Sequence, residues 1–388
     1  MRARPHGRRN FEGAEAENGG AKMMFQVNRT PFPTPRATIA VTGIGAVTPI
    51  GASAIETAAS LRAGACRFRE DGFYVPLAST VATLPPSADG AARIFELALR
   101  ATRDLLRVRS DVGAAAGGGA DAPPTGWFFA LPEEDAVTAS WGLVSSLAPA
   151  LLDHLGDRAS TVVAARTQGS GGSLAVLGDA AAAIRDGAIA RAIVVGVDSF
   201  IDRDRLSPLD RDRRIKSDRA SAGMIPGEAA TALMLESVSA AERRSAPVLA
   251  TLGEVGLGEE PQTVSGDRES SGRGLTRALR AAMAGGVGHA PRWVLCDLNG
   301  EAYRTIEWGT ASVRLARELG ASVRVTHPAD CLGEIGAAVG GVLIAHAVAG
   351  FARGYAPAPE ALLWAGSDRG LRAAVRVLAP MPAAQAGG

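Results

Sequence analysis

The run GSGGSLAVLGDAAAAIRDGAIARAIVVGVDS, residues 169–199, follows a β-branched stretch, STVVAARTQ, that reads as a strand. Gly and Ser at 169–173 make a turn. The residues after it are small helix formers, and Gly187 marks a helix C-terminus. Ala190–Ser199 then reads as a buried strand, because Val and Ile recur in a short run with almost no polar break. Strand, helix and strand in this order are the unit of an α/β protein.

The same alternation extends in both directions. ATIAVTGIGAVTPIG, Ala37 to Gly51, is a strand flowing into a Gly-rich turn, with a helix opening near Ser53. An amphipathic helix begins at Ala91, Val112–Gly126 is a Gly- and Pro-punctuated loop, GWFFALP is a strand, and 134–155 is mostly helical. EAATALMLES, Glu228 to Ser237, reads as a strand by its neighbours despite its helical composition. After Ala246 the pattern restarts. PVLATLGEVGLG is a strand, GLTRALRAAMAGG a helix, PRWVLCDLNG a strand and turn, and YRTIEWGTASVRLARELG a helix. VRVTHPADCLG, IGAAVGGVLIAHAVAGF and ALLWAGS read as a loop, a helix and a strand. Two rounds of strand and helix predict two similar halves, 37–243 and 244–388. Residues 1–36 are basic, then acidic and Gly-rich, then Pro-rich. They read as a disordered tail, and Met23 or Met24 is an alternative translation start.

Composition narrows the class. Of 388 residues, 47% are hydrophobic, enough for a large core. The 41 basic and 40 acidic residues balance, which points away from nucleic acid and anionic membranes. No apolar run reaches the ~20 residues of a membrane span. The cysteines (Cys66, Cys296, Cys331) lack CxxC spacing and the five histidines are scattered. These features predict a cytoplasmic protein with no disulfide framework, no metal and no cofactor.

Four stretches in order resemble the β-ketoacyl-(acyl-carrier-protein) synthases of the thiolase superfamily: IAVTGIGAVTPIG, the 169–199 run, RIKSDRASAGMIPGEAATALMLE and ADCLGEIGAAVGGVLIAHAVAGFARGYAP. The resemblance covers the chain from about residue 37 to its end. It implies a thiolase-like fold of five layers, αβαβα, and a homodimer or heterodimer. Members condense acyl thioesters through a cysteine nucleophile and two histidines.

None of those three residues stands where the resemblance implies. Counting back along the helix from Gly187 puts Ser170 at the cysteine position. Ser170 is either a nucleophile candidate or only a helix N-cap, a place Ser favours. A helix dipole contributes about 0.3–1 kcal/mol, too little to ionise an alcohol, so a nucleophilic serine requires a general base. The first histidine falls on Asn299, with Glu301 two residues on as a possible acid or base. Matching Gly333 and Gly336 puts Asp330 at the second, beside Cys331. His327 lies three residues earlier, and the family's lysine falls on Val325. Met224 and Asp368 stand where the family has phenylalanines, while Glu228 matches its structural glutamate.

Two readings follow from this chemistry. The first is a non-condensing protein of fatty acid or polyketide metabolism that binds acyl thioesters and partners an active ketosynthase, as chain-length factors do. Its ligands are acyl carrier protein or acyl-coenzyme A. The second is an acyltransferase or thioester hydrolase using Ser170, with Asp330 or Glu301 as base. Ordinary condensation through Cys296 or Cys331 ranks last, since neither opens a helix in the right half.

Overall fold

The computed structural model describes residues 37–69, 77–78, 90–108, 125–266, 268–284 and 290–380. The expected tail at 1–36 and most of the loop at 112–126 lie outside them.

The strands are β1 (Ile39–Val47), β2 (Phe68–Arg69), β3 (Leu77–Ala78), β4 (Thr125–Ala130), β5 (Thr161–Arg166), β6 (Arg191–Ser199) and β7 (Glu228–Ser237). After them come β8 (Ala250–Leu252), β9 (Gly256–Glu259), β10 (Trp293–Cys296), β11 (Arg324–Thr326), β12 (Glu360–Gly366) and β13 (Leu371–Leu378). The helices are α1 (Ala54–Ala63), α2 (Gly90–Val108), α3 (Ala136–Ser140), α4 (Leu143–Leu155), α5 (Gly169–Arg185) and α6 (Arg203–Arg211). They continue with α7 (Val238–Arg243), α8 (Arg273–Met283), α9 (Ala302–Arg314), α10 (Ala316–Leu319), α11 (Ala329–Leu332) and α12 (Val339–Ala352).

Eleven strands share one hydrogen-bonded sheet in the order β11-β10-β12-β13-β8-β1-β7-β6-β4-β5, with β9 on β13. From the β8–β1 contact outward both arms repeat one pattern: two antiparallel pairings, then two parallel ones. The two halves expected from the restarting pattern are this repetition.

Alternation along the strands builds the layers. Trp127 and Phe129 face a core with Ile94, Leu97 and Leu105 of α2 and Leu147 and Leu151 of α4, while Phe128 between them faces the opposite side. Val294, Leu362 and Trp364 meet Leu275 and Leu279 of α8, and Leu295 and Leu363 turn inward. The inward residues of both arms meet α5 and α12, which form the middle layer. Helix, one arm of the sheet, helix pair, the other arm, helix is the five-layered αβαβα arrangement that the resemblance implied. Strands apolar on both faces are what such burial requires. The middle helices pack through their small residues: a Cβ on Gly340 of α12 would lie 2.6 Å from the Ser173 hydroxyl of α5.

Three local expectations change. The single strand expected at 247–258 is two short ones, β8 and β9. VRVTHPADCLG is not a loop, because β11 pairs with β10 and α11 follows. After Gly370 lies β13, for which the sequence predicts no element; it pairs with β12 along its length and with β8 at its end.

Candidate functional site

β5 ends at Arg166, and Gly169, with φ +51°, turns the chain into α5. Ser170 is therefore inside the first helical turn rather than at its cap, which is Gln168. The N-cap alternative for Ser170 does not hold. Ser170 is buried, and its hydroxyl donates to Oε1 of Glu334 at 3.3 Å.

Asn299 sits between β10 and α9, followed by Gly300 at φ +96°. Its Nδ2 donates to Oε2 of Glu334 at 2.6 Å and to Oε2 of Glu301 at 2.9 Å, and its Oδ1 accepts from the Glu301 amide at 3.1 Å. Ser170 and Asn299 thus come together, as expected, but the carboxylate joining them is Glu334.

Asp330 is elsewhere. Its side chain is 72% exposed and pairs with Nδ1 of His327 at 3.1 Å. In the one-turn helix α11, Cys331 and Leu332 take the buried face and leave Asp330 outside. The expectation that Asp330 faces Ser170 is corrected accordingly: the acid at that point lies four residues later, between the very glycines used to count. His327, tied to Asp330, is not in the cluster either.

Glu334 is held from all sides. Its amide donates to the Ile225 carbonyl at 2.7 Å and its carbonyl accepts from Gly227 at 2.9 Å. Oε1 also accepts from the Gly336 amide at 2.8 Å. Gly336 itself has φ +48°, and a Cβ there would fall 1.9 Å from Oδ2 of Asp198 at the end of β6. Only glycine fits. Burial pushes the Glu334 carboxyl up to about 7; Arg304 opposes this and Asp297 adds to it.

A second shell of charge surrounds the cluster. Arg214 forks onto Glu301 at 2.7 and 3.1 Å and donates to Asp368 at 2.6 Å. Arg304 reaches Asp297 at 2.9 Å, the Gly366 carbonyl at 2.7 Å and Asp368 at 3.3 Å. Glu133 accepts from the Asp368 and Arg369 amides, both at 2.8 Å. Glu301 is thus buried and paired, not solvated. Burial works against ionisation of Asp368, but Arg214 and Arg304 outweigh it and hold its carboxyl below the ordinary value. Burial, then the charge of Asp368, raises Glu133.

Sequence reasoning missed Glu334, Arg214, Arg304 and Glu133. Glu334 had a signal, being inside the Leu-Gly-x-x-Gly motif. Arg304 lies one helical turn from Glu301. Glu133 and Arg214 had none.

Neither Cys331 nor Cys296 takes the place of Ser170 as nucleophile. Burial pushes the Cys331 thiol up to about 12 and Cys296 further still, which disfavours a thiolate at either. The cavity touching Glu334 is lined by Cys296, Asp297, Ala329 and Gly333 and has a volume of about 10 Å³, room for roughly one water. Among the described residues no group of three His, Cys, Asp or Glu is placed to hold a metal, and no helix is long and apolar enough to cross a membrane.

No family model and no curated protein matches the chain. Solved structures do. The ishigamide ketosynthase/chain length factor superposes with a TM-score of 0.73 at 17% identity, covering 89% of this chain and 100% of that one. A type II polyketide-synthase acyl-carrier protein in complex with its ketosynthase, bound to the hexaketide, gives 0.74 at 15% identity, with 89% and 100% covered. The fold is that of a ketosynthase. A β-ketoacyl synthase from Burkholderia phymatum matches this ketosynthase fold equally, at 0.72, 15% identity and the same coverage. In the ketosynthase fold of this chain, a serine in the first turn of the central helix α5 is joined through a glutamate to an asparagine from the loop after β10.

Proposed function

We propose that this chain is a β-ketoacyl-synthase-like protein that does not condense acyl thioesters but partners an active ketosynthase, in the manner of a chain-length factor. One observation carries the reading: both carboxylate oxygens of Glu334 are occupied, by Ser170, Gly336 and Asn299. The polar groups at the start of α5 satisfy one another. Nothing among them is a thiolate or an imidazole able to decarboxylate a malonyl thioester.

The surface offered to the partner is the edge strand β5. It is the outer strand of its arm, and Val162 and Val163 are 41% and 45% exposed. An exposed edge with apolar side chains is a template for pairing with another chain. The neighbours that include a chain length factor, and a carrier protein with its ketosynthase, support acyl carrier protein and a ketosynthase as the partners; the lack of CxxC pairing among the cysteines fits a cytoplasmic setting for them.

The Ser170–Glu334 contact favours a second reading, acyl transfer or thioester hydrolysis. Ser170 Oγ would attack the thioester carbonyl carbon and pass its proton to Glu334. The C–S bond would then break, and the thiolate would leave with that proton. A carboxyl near 7 suits such a base.

Intact-mass analysis after incubation with acyl- and malonyl-carrier protein separates the two readings. The partner reading expects no acyl adduct and stable co-elution with a ketosynthase. An adduct that disappears in Ser170→Ala would replace it with the second reading.

A further inference from the structure

Outside the Glu334 cluster, two cysteines from distant parts of the chain come close: Cys66 reaches the peptide that precedes Cys331. Cys66 lies in the exposed loop after α1, just past Gly64, whose φ of +66° ends that helix. Its Sγ donates to the Asp330 carbonyl at 3.2 Å, across 264 positions, and more weakly to the Gly64 carbonyl at 3.5 Å. The next residue, Cys331, is buried, so the carbonyl that receives the Cys66 thiol belongs to the peptide bond that leads into it. The third thiol, Cys296, is separate, buried in β10 and directed at the Thr326 carbonyl at 3.8 Å.

An exposed thiol held against the backbone beside a buried one is the arrangement of an attacking and a resolving cysteine. We propose that Cys66 and Cys331 form a reversible disulfide by exchange with a low-molecular-weight disulfide of the glutathione type. The Cys66 thiolate attacks one sulfur of that disulfide, and the first small thiolate leaves. The Cys331 thiolate then attacks the Cys66 sulfur and expels the second. The two protons lost by the protein thiols end on the two small thiols, so the protein is oxidised by two electrons and the small disulfide is reduced. The raised Cys331 thiol makes the second step the slow one at neutral pH and faster as pH rises. The resulting bond would tie the loop after α1 to α11, two residues before the Gly333–Glu334 segment that holds Ser170 and Asn299.

The full chain is incubated with oxidised glutathione, quenched in acid, denatured, alkylated and weighed intact. Wild type is expected to lose two of its three alkylatable cysteines and to carry no glutathione; dithiothreitol restores all three. Cys331→Ser is expected to trap one glutathione on Cys66, and Cys66→Ser to stay fully reduced over the same time. Wild type that keeps three alkylatable thiols, or that accumulates only a stable glutathione adduct, overturns the proposal. Because Cys66 is exposed, Cys66→Ser leaves the fold intact. The wild-type and Cys66→Ser thiol counts therefore decide the question even if Cys331→Ser fails to fold.

Discussion

The two arms of the sheet repeat one strand order yet end differently. β5 closes the first arm with six residues and exposes two valines, whereas β11 closes the second with three and places Arg324 at its exposed start. A short edge with a charge is protected against pairing; a longer apolar one is not. The arms also differ inside. Each buries an Arg–Glu pair between a strand start and a helix, but with the charges exchanged. Glu228 of β7 takes Arg93 of α2, and Arg372 of β13 takes Glu307 of α9. One framework therefore ends in two ways: the first arm in a longer edge with exposed valines, and the second in a short edge with an exposed arginine.

Breaking that difference gives the largest expected effect. Val162→Lys puts a charge on the β5 edge and is expected to abolish self- or ketosynthase pairing at micromolar concentrations, read by light scattering during size exclusion. As a partly exposed surface change it should alter the stability of the single chain by no more than about 0.5 kcal/mol. Arg324→Ala on the β11 edge should leave assembly unchanged. If both variants assemble normally, pairing does not use β5.

The ion pairs come next. Removing one member of a buried pair strands the other, at a cost of about 3–5 kcal/mol. Glu228→Ala should be the worse of the two, because Glu228 also accepts from Ser199 at 2.6 Å, whereas Oε2 of Glu307 has no partner. Urea midpoints of Glu228→Ala and Glu307→Ala test the order. Equal losses would mean that the extra Ser199 bond adds nothing.

Glu334 ranks third. Its carboxyl moves from 4.5 to about 7 on folding, so the proton is bound more tightly in the folded chain. The stability this contributes is full below 4.5 and lost as pH rises through 7. A gap of about 2.5 units at 1.36 kcal/mol each is on the order of 3 kcal/mol. Glu133 and Asp297 are also raised by burial and act in the same direction, so the informative quantity is the difference between wild type and Glu334→Gln. Wild type should lose stability relative to Glu334→Gln as pH rises from 4.5 to 8. A pH-independent gap would show that Glu334 is ionised throughout.

Hydrophobic periodicity made the arms and the middle helices legible, because strands buried on both faces and helices of small residues leave continuous apolar runs. β13 was not legible for a physical reason. Arg372 and Arg376 look like surface residues, and the acids that neutralise them, Glu307 and Glu360, lie 65 and 16 positions away. The site was legible where it depended on helix position, as with Ser170, and on a strand end, as with Asn299. It failed at Asp330, because a single turn of α11 shifts the count by four and a carboxylate between glycines has no periodicity to place it. Glu334 is buried only because Ser170, Asn299 and the charge of Arg304 converge on it from segments far apart in the chain.

Ser170→Ala is the smallest change expected and the one that bears most on chemistry. The hydroxyl makes one long bond, 3.3 Å, to an oxygen that keeps the Gly336 amide at 2.8 Å, so no buried acceptor is orphaned. The cost should lie near the lower end of the 0.5–1.5 kcal/mol typical of a hydrogen bond. Ser173→Ala, one turn on, should cost more. Its hydroxyl joins the Ser170 carbonyl at 2.5 Å to the Gly340 amide at 3.0 Å and so clamps the two middle helices together. Thermal midpoints should therefore order as wild type, Ser170→Ala, Ser173→Ala. A Ser170→Ala protein as unstable as Ser173→Ala would make Ser170 a structural residue. A Ser170→Ala protein that is stable yet fails to load an acyl group taken up by wild type would make it the nucleophile.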